Sequence, residues 1–566
     1  MIGVGDMGLG QTEGGMRFTF PPYGAWPSTL KGTTTKMPMT GAVIRILFMN
    51  STRFLQALLL LLCAFWTTPG IAGDDPRLGK FSAALQRARF TVQTGATVKA
   101  IPFQWFDNLA MDSLAGNNAG QYYKVLQVPL LPGENNTDVE KSLALFMIRE
   151  DEAVVWVGPT PPACDYFSFT PFLWVRHKNP LIPKGDWLFA STGDPLNNFW
   201  IQTQTGGQFA ANTMIIFTAD QGIYQKISSI AQLSGYGANM INLYVIPSSV
   251  LNLGISPQSD SFSIIVRTAN FVDQNAGNAY LDNSNYATIF RITPNYAVTP
   301  QPYDWPAPRN RKVGPEGGAF NPALQAGLER LKAAILAKTP HARSQSYDQS
   351  SIWFYNSRDV LPDNPTSPAY RKFVAGESSD TPYLRTSVNG VDPENFTLGK
   401  NDMVVVYGVN HTATGFATYN SFGIYGEWQT NVNCVPFYFI GANDLIWNGV
   451  AGMTNHDFTG SAAYYLPGDP MAPYLYAVRV VRGPVPPGDK YCVSVPEPTE
   501  AWWVTPNVPG TSDGIGLNQP LMVGYRAYVN PVSKAGPAYS DIIPDRAIWF
   551  RKPSVQGPLD LLLLTD

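Results

Sequence analysis

Apolar residues in this chain come in short runs between turn residues, and the runs differ in kind. "AVVWVG" (153–158) and "MVVVYG" (403–408) are unbroken and β-branched, the pattern of strands buried on both faces. "SFSIIVRTA" (261–269) and "LMVGYRAYV" (521–529) also read as strands. Helical periodicity is rarer. "LERLKAAI" (328–335) sets Leu328, Leu331 and Ile335 on one face, and "LGKFSAAL" (78–85) is spaced in a similar way. "TMIIFTAD" (213–220), "QGIYQKISSIAQLSG" (221–235) and "INLYVIP" (241–247) predict strand, amphipathic helix and strand, a β-α-β crossover. The predicted fold class is mixed α/β and strand-dominated.

The elements recur in order. "AGNAYLD" (276–282) returns as "AGPAYSD" (535–541), Arg267 as Arg526, and Phe290-Arg291 as Phe550-Arg551. "GDPLNNF" (193–199) meets "GMTNHDF" (452–458), and Tyr166, Phe169 and Phe172 fall on Phe416, Tyr419 and Phe422. Agreement along a whole half predicts two diverged tandem copies of one domain, at 74–300 and 319–553. The stretch 297–318 between them is rich in Pro and Gly, which suits an extended connector. The crossover belongs to the first copy; the matching "RGPVPPGDKYCVSVP" (482–496) carries too much proline for a helix. An apolar tail, 554–566, ends the chain.

Composition narrows the class. Hydrophobic residues make up 45% and charged ones only 14%, which describes a packed chain and not a disordered one. A net charge of −3 with no basic run argues against nucleic acid as a partner. Residues 1–73 read as an extension plus signal peptide, with "FLQALLLLLCAFW" (54–66) as the apolar block and cleavage after Ala72 or Gly73. That block is short for a membrane span, so a membrane enters only through an uncleaved anchor. The expected location is secreted or in the secretory lumen. Asn135, Asn395 and Asn410 open Asn-x-Thr sequons, expected as glycosylated surface loops. Cys434 and Cys492, in one half, are the expected disulfide, and Cys164 the leftover buried thiol.

Candidate chemistry divides by repetition. Arg267 with Asp282, and Arg526 with Asp541, occur in both copies and read as structural braces in which a guanidinium pins a loop carboxylate. Residues private to one copy are the site candidates. Asp194 and Asp220 each follow a predicted strand. If those strands are parallel neighbours, the two carboxylates stand where open α/β sheets bind ligands. There they would act as acid and base, or hold a divalent cation through oxygen. The plainer reading is turn formation and helix capping. His456, beside Asp457, is a candidate general base. Two functions follow: a secreted glycoprotein that binds a glycan polymer or cell-surface partner through its aromatics and asparagines, or a secreted hydrolase using Asp194, Asp220 and His456.

The mature protein is expected to begin near Gly73 and to carry glycan. Amino-terminal sequencing and a deglycosylation gel shift on protein from its native host check both; an intact Met1 with no shift contradicts them.

Overall fold

The unbroken apolar runs become sheet centres, because each is covered on both sides. The computed structural model describes residues 75–100, 118–177, 185–340, 343–352, 355–370, 372, 374–387, 397–428, 438–441, 452–497, 515, 517 and 521–551. The described residues belong to one compact unit. The fold is mixed α/β and strand-dominated, with several sheets. Among the described residues no helix is long and apolar enough to cross a membrane.

The first half runs α1 (Pro76–Arg87), β1 (Phe90–Ala100), β2 (Gln121–Gln127), α2 (Asp138–Ser142), β3 (Ala153–Pro159), β4 (Cys164–Arg176), β5 (Asp186–Ser191), β6 (Leu196–Asn197), β7 (Asn212–Thr218), α3 (Gln221–Leu233), β8 (Ile241–Val245), β9 (Ser261–Phe271), α4 (Gln274–Asp282) and β10 (Thr288–Pro294). Its strands lie in the order β5-β4-β9-β2-β1-β10-β3-β7-β8, with β6 on β4. β1 serves two layers: Phe90–Gly95 pairs with β10, and Ala96–Ala100 pairs with β2. Gly95 sits at that switch, where a Cβ would stand 2.2 Å from the Gln127 carbonyl oxygen, so no larger residue fits. The layers close on Phe167, Phe169 and Val266 from one side and on Val154, Trp156 and Ile215 from the other. The alternate residues Val155 and Val157 point outward, under α1 and α3. This accounts for the apolar run in β3, although its neighbours β10 and β7 are antiparallel to it.

The second half runs α5 (Asn321–Ala337), β11 (Arg343–Tyr347), β12 (Gln349–Ile352), α6 (Ser357–Val360), β13 (Tyr383–Ser387), β14 (Met403–Val409), β15 (Tyr419–Trp428), β16 (Tyr438–Gly441), β17 (Gly452–Thr454), α7 (Asn455–Phe458), β18 (Leu475–Val481), β19 (Cys492–Ser494), β20 (Leu521–Tyr528) and β21 (Arg546–Arg551). One sheet is β11-β21-β14-β18-β19; the other is β12-β13-β20-β15-β16, with β17 on β15. The sheets enclose Val404, Val406 and Trp549 against Phe422, Ile424 and Val523. Helix α5 covers the outer face of the first through Leu328, Leu331 and Ile335, the stripe its spacing predicts. The predicted crossover is present: β7 and β8 are parallel and α3 joins them. In the second half β18 and β19 are also parallel, joined by the proline-rich loop without a helix.

The connector holds no helix or strand before a 3-10 turn at Gly318–Phe320. Its last acidic residue, Glu316, is fully buried against His411, 2.9 Å from Nδ1, while His411 Nε2 faces Asp545 at 3.4 Å. Burial alone would depress the His411 pKa, but Glu316 and Asp545 raise it to about 10. The imidazole is therefore a buried cation tying the connector to the second half. A raised folded pKa stabilises fully below the unfolded value near 6.5, and the contribution is lost as pH rises toward 10. Lys124, whose pKa burial lowers to about 8, acts in the opposite sense above that pH. The native protein should thus lose stability between pH 6.5 and 8 by up to about 1.4 kcal/mol per pH unit through His411, a slope that His411→Gln should remove. Urea denaturation across that range measures the difference.

Candidate functional site

The residues expected to meet in a catalytic cleft serve the frame instead. Asp220 caps α3 by accepting from the Ile223 N–H at 2.8 Å, and its other oxygen accepts from the Gln301 N–H at 2.5 Å. Asp194 accepts from the Arg309 N–H and from Ser379 Oγ, each at 2.7 Å. Both carboxylates thus fasten the connector. Strands β5 and β7, which precede them, lie at different places in the strand order and are not parallel neighbours, so the expected geometry is not formed. The oxygens that would ligate a divalent cation are occupied by N–H and O–H donors.

The expected braces also divide. Asp282 pairs with Lys99 at 3.0 Å, whereas Arg267 donates to the Gly376 carbonyl. Asp541 accepts from the Val313 and Gly314 N–H groups at 2.9 and 3.0 Å, and Arg526 donates to the Tyr425 hydroxyl at 3.0 Å. The reason is alternation. Arg267 and Arg526 sit on the outward face of β9 and β20, with Ile264, Val266, Val523 and Tyr525 filling the cores on the other side. The repeated phrase itself takes two forms, helix α4 in the first half and turns in the second. Its glycine is needed in both for close approach: a Cβ on Gly277 would stand 2.3 Å from the Phe271 ring, and one on Gly536 would stand 2.4 Å from the backbone of Asp380.

Those outward faces meet at a seam. Tyr166 and Tyr528 pack in a tilted pair, 4.6 Å between ring centroids, and Asn118 donates to the Tyr528 hydroxyl at 3.0 Å. A strap from Val374 to Thr381 threads through the same region. Val374 and Gly376 donate their N–H groups to Leu188 and Phe189 of β5. Asp380, fully buried, accepts from Asn197 at 3.0 Å and from the Tyr166 hydroxyl at 3.1 Å. Burial pushes its pKa up to about 6, against the pull of Arg309, Asn197 and Tyr166. At the rim, His456 Nε2 lies 2.9 Å from Asp165 and the His is half-exposed. The hydrogen bond to Asp165 raises its pKa. Asn455 and Asn270 donate to the same carboxylate oxygen.

Asn135 is exposed. Asn410 is not: it is buried, its amide donates to Thr459 at 2.9 Å, and its oxygen accepts from Thr412. A turn that caps itself under packing offers no amide to a glycan. Asn395, Cys434, residues 1–73 and the tail at 554–566 lie outside the described residues, so the expected disulfide does too. Cys492 is buried. Cys164 is buried as expected, and burial raises its pKa, which makes it a poor nucleophile.

No family model matches the sequence, and no curated relative matches it. An uncharacterised protein of known structure from Burkholderia cenocepacia is 11% identical, with a TM-score of 0.31 over 84% of this chain and 92% of its own. The VPA0106 protein from Vibrio parahaemolyticus is 11% identical, with a TM-score of 0.31 over 82% of this chain and 95% of its own. Likenesses this slight carry no argument.

Asp380→Ala should unfold at lower urea, by about 1–3 kcal/mol for each buried donor it strands, the Asn197 amide and the Tyr166 hydroxyl. Asp282→Ala breaks an exposed pair and should change stability by about 0–1 kcal/mol. Equal losses from the two would contradict this seam.

Proposed function

We propose that the chain is a secretory-route glycoprotein built from two diverged copies of one domain, and that it binds a glycan polymer or surface partner without cleaving it. One observation carries the choice of binding: both oxygens of Asp194 and of Asp220 accept hydrogen bonds from the chain itself. Exposed aromatics support a stacking surface. Trp200 is 45% exposed beside the seam, with the Arg309 guanidinium 4.7 Å from its ring.

The duplication is supported by the strand orders. β5-β4-β9-β2 corresponds to β16-β15-β20-β13, and β10-β3-β7-β8 corresponds to β21-β14-β18-β19, these last two each ending in a parallel pair. Register adds a second support. Ser168 stands opposite Arg267 and Ser421 opposite Arg526, which equates Tyr166 with Tyr419 and not with Phe416, as the unaided alignment has it.

A hydrolase remains the second reading, now resting on the His456–Asp165 pair. Binding of the secreted protein to immobilised polysaccharides, with reducing-end release followed in parallel, tests both. Binding without release, weakened roughly tenfold or more by Trp200→Ala, is the expected result. Release abolished by His456→Gln would establish the hydrolase instead.

A further inference from the structure

The seam buries a positive charge whose donors the fold does not use. Arg267 is 5% exposed, and among the described residues its Nε and Nη1 have no hydrogen-bond partner; only Nη2 donates, to Gly376. A buried guanidinium left in this state is costly, since each unmatched donor forfeits its hydration. The carboxylate of Glu377 acts on Arg267 electrostatically, yet its hydrogen bonds go to Ser357. Two more buried atoms on the same half lack partners, Thr170 Oγ1 and Gln121 Nε2. They belong to this surface: Thr170 is two residues from Ser168, which pairs with Arg267, and Gln121 is two residues from Tyr123, which pairs with Arg267 from the other side.

The facing sheet brings a second cation and two positions without a side chain. Arg526 lies on the seam face of β20, and next to it on that face Gly524 and Gly423 stand opposite each other, so two adjoining positions present no side chain. Tyr383 and Tyr528 interact electrostatically with both arginines, which places the two guanidinium groups around one tyrosine cluster.

We propose that this part of the seam is a binding site for a small oxyanion, a phosphate or carboxylate group, received by the unused Nε–H and Nη1–H of Arg267 with Thr170 beside it. Guanidinium donors match such groups in geometry as well as in charge, and two sheets closing over the ligand would make its binding part of the cohesion of the halves. The site is separate from the exposed surface assigned to polymer binding and does not depend on that reading.

The test uses the full mature chain, dialysed free of anions, and follows its melting temperature against inorganic phosphate and against a set of mono- and dicarboxylates. A saturable rise with at least one of these is expected in the native protein. In Arg267→Met the apparent affinity should fall roughly tenfold or more. Thr170→Val removes a hydroxyl without removing charge; it keeps the test decisive if Arg267→Met does not fold, and should weaken binding of the same anion. The opposite pattern overturns the proposal: no anion raises the melting temperature, or the rise is the same in native protein and in Thr170→Val. A melting temperature above native for Thr170→Val, with the anion response unchanged, would show that the hydroxyl is only a buried defect and would also overturn the proposal.

Discussion

The structure depends on keeping a buried carboxylate satisfied where two β-layered halves meet. Asp380 reaches Asn197 and Tyr166 of the first half from the strap, while its own carbonyl accepts the Val529 N–H of the second. A carboxylate removed from water tolerates few arrangements, so these partners must arrive together. The strap is thereby fixed on β5, which in turn places Gly376 over Arg267 and Ser379 over Asp194. Without that junction the outward faces of β9 and β20 would present arginines and tyrosines to solvent.

The connector shows the same economy. Asp220, Asp194 and Asp541 each accept a backbone N–H of the connector, from Gln301, Arg309 and Val313 respectively, while Glu316 of the connector accepts the Ile543 N–H of the second half. An extended segment rich in proline cannot satisfy its own backbone, and side-chain carboxylates from both halves supply acceptors along its length. Acidic residues that resemble a catalytic set in the sequence are thus distributed along one strip of chain. The halves also stabilise their interiors by different means. In the first, Arg291 is buried between Glu134 and Glu152; in the second, Arg551 is exposed and the buried ionic centre is His411.

Much of the architecture is legible along the chain, because periodicity reports local geometry. The runs at β3 and β14, the stripe on α5, the crossover through α3 and the extended connector all follow from residue spacing and proline content. Asp220 as a helix cap is legible for the same reason, since a cap is a contact of three residues' reach. The site is less legible. Repetition marks Arg267 and Arg526 as important, but spacing cannot show that their carboxylate neighbours in sequence turn to other partners.

What the sequence determined by itself is the set of elements, their order and the side of each strand that is apolar. Only the tertiary structure decided which outward faces would meet. Alternation places Arg267, Tyr166 and Ser168 on one face of a layer without saying what that face touches. The strap, the seam and the burial of Asn410 and His411 come from contacts between segments distant in the chain, and no local pattern encodes those distances.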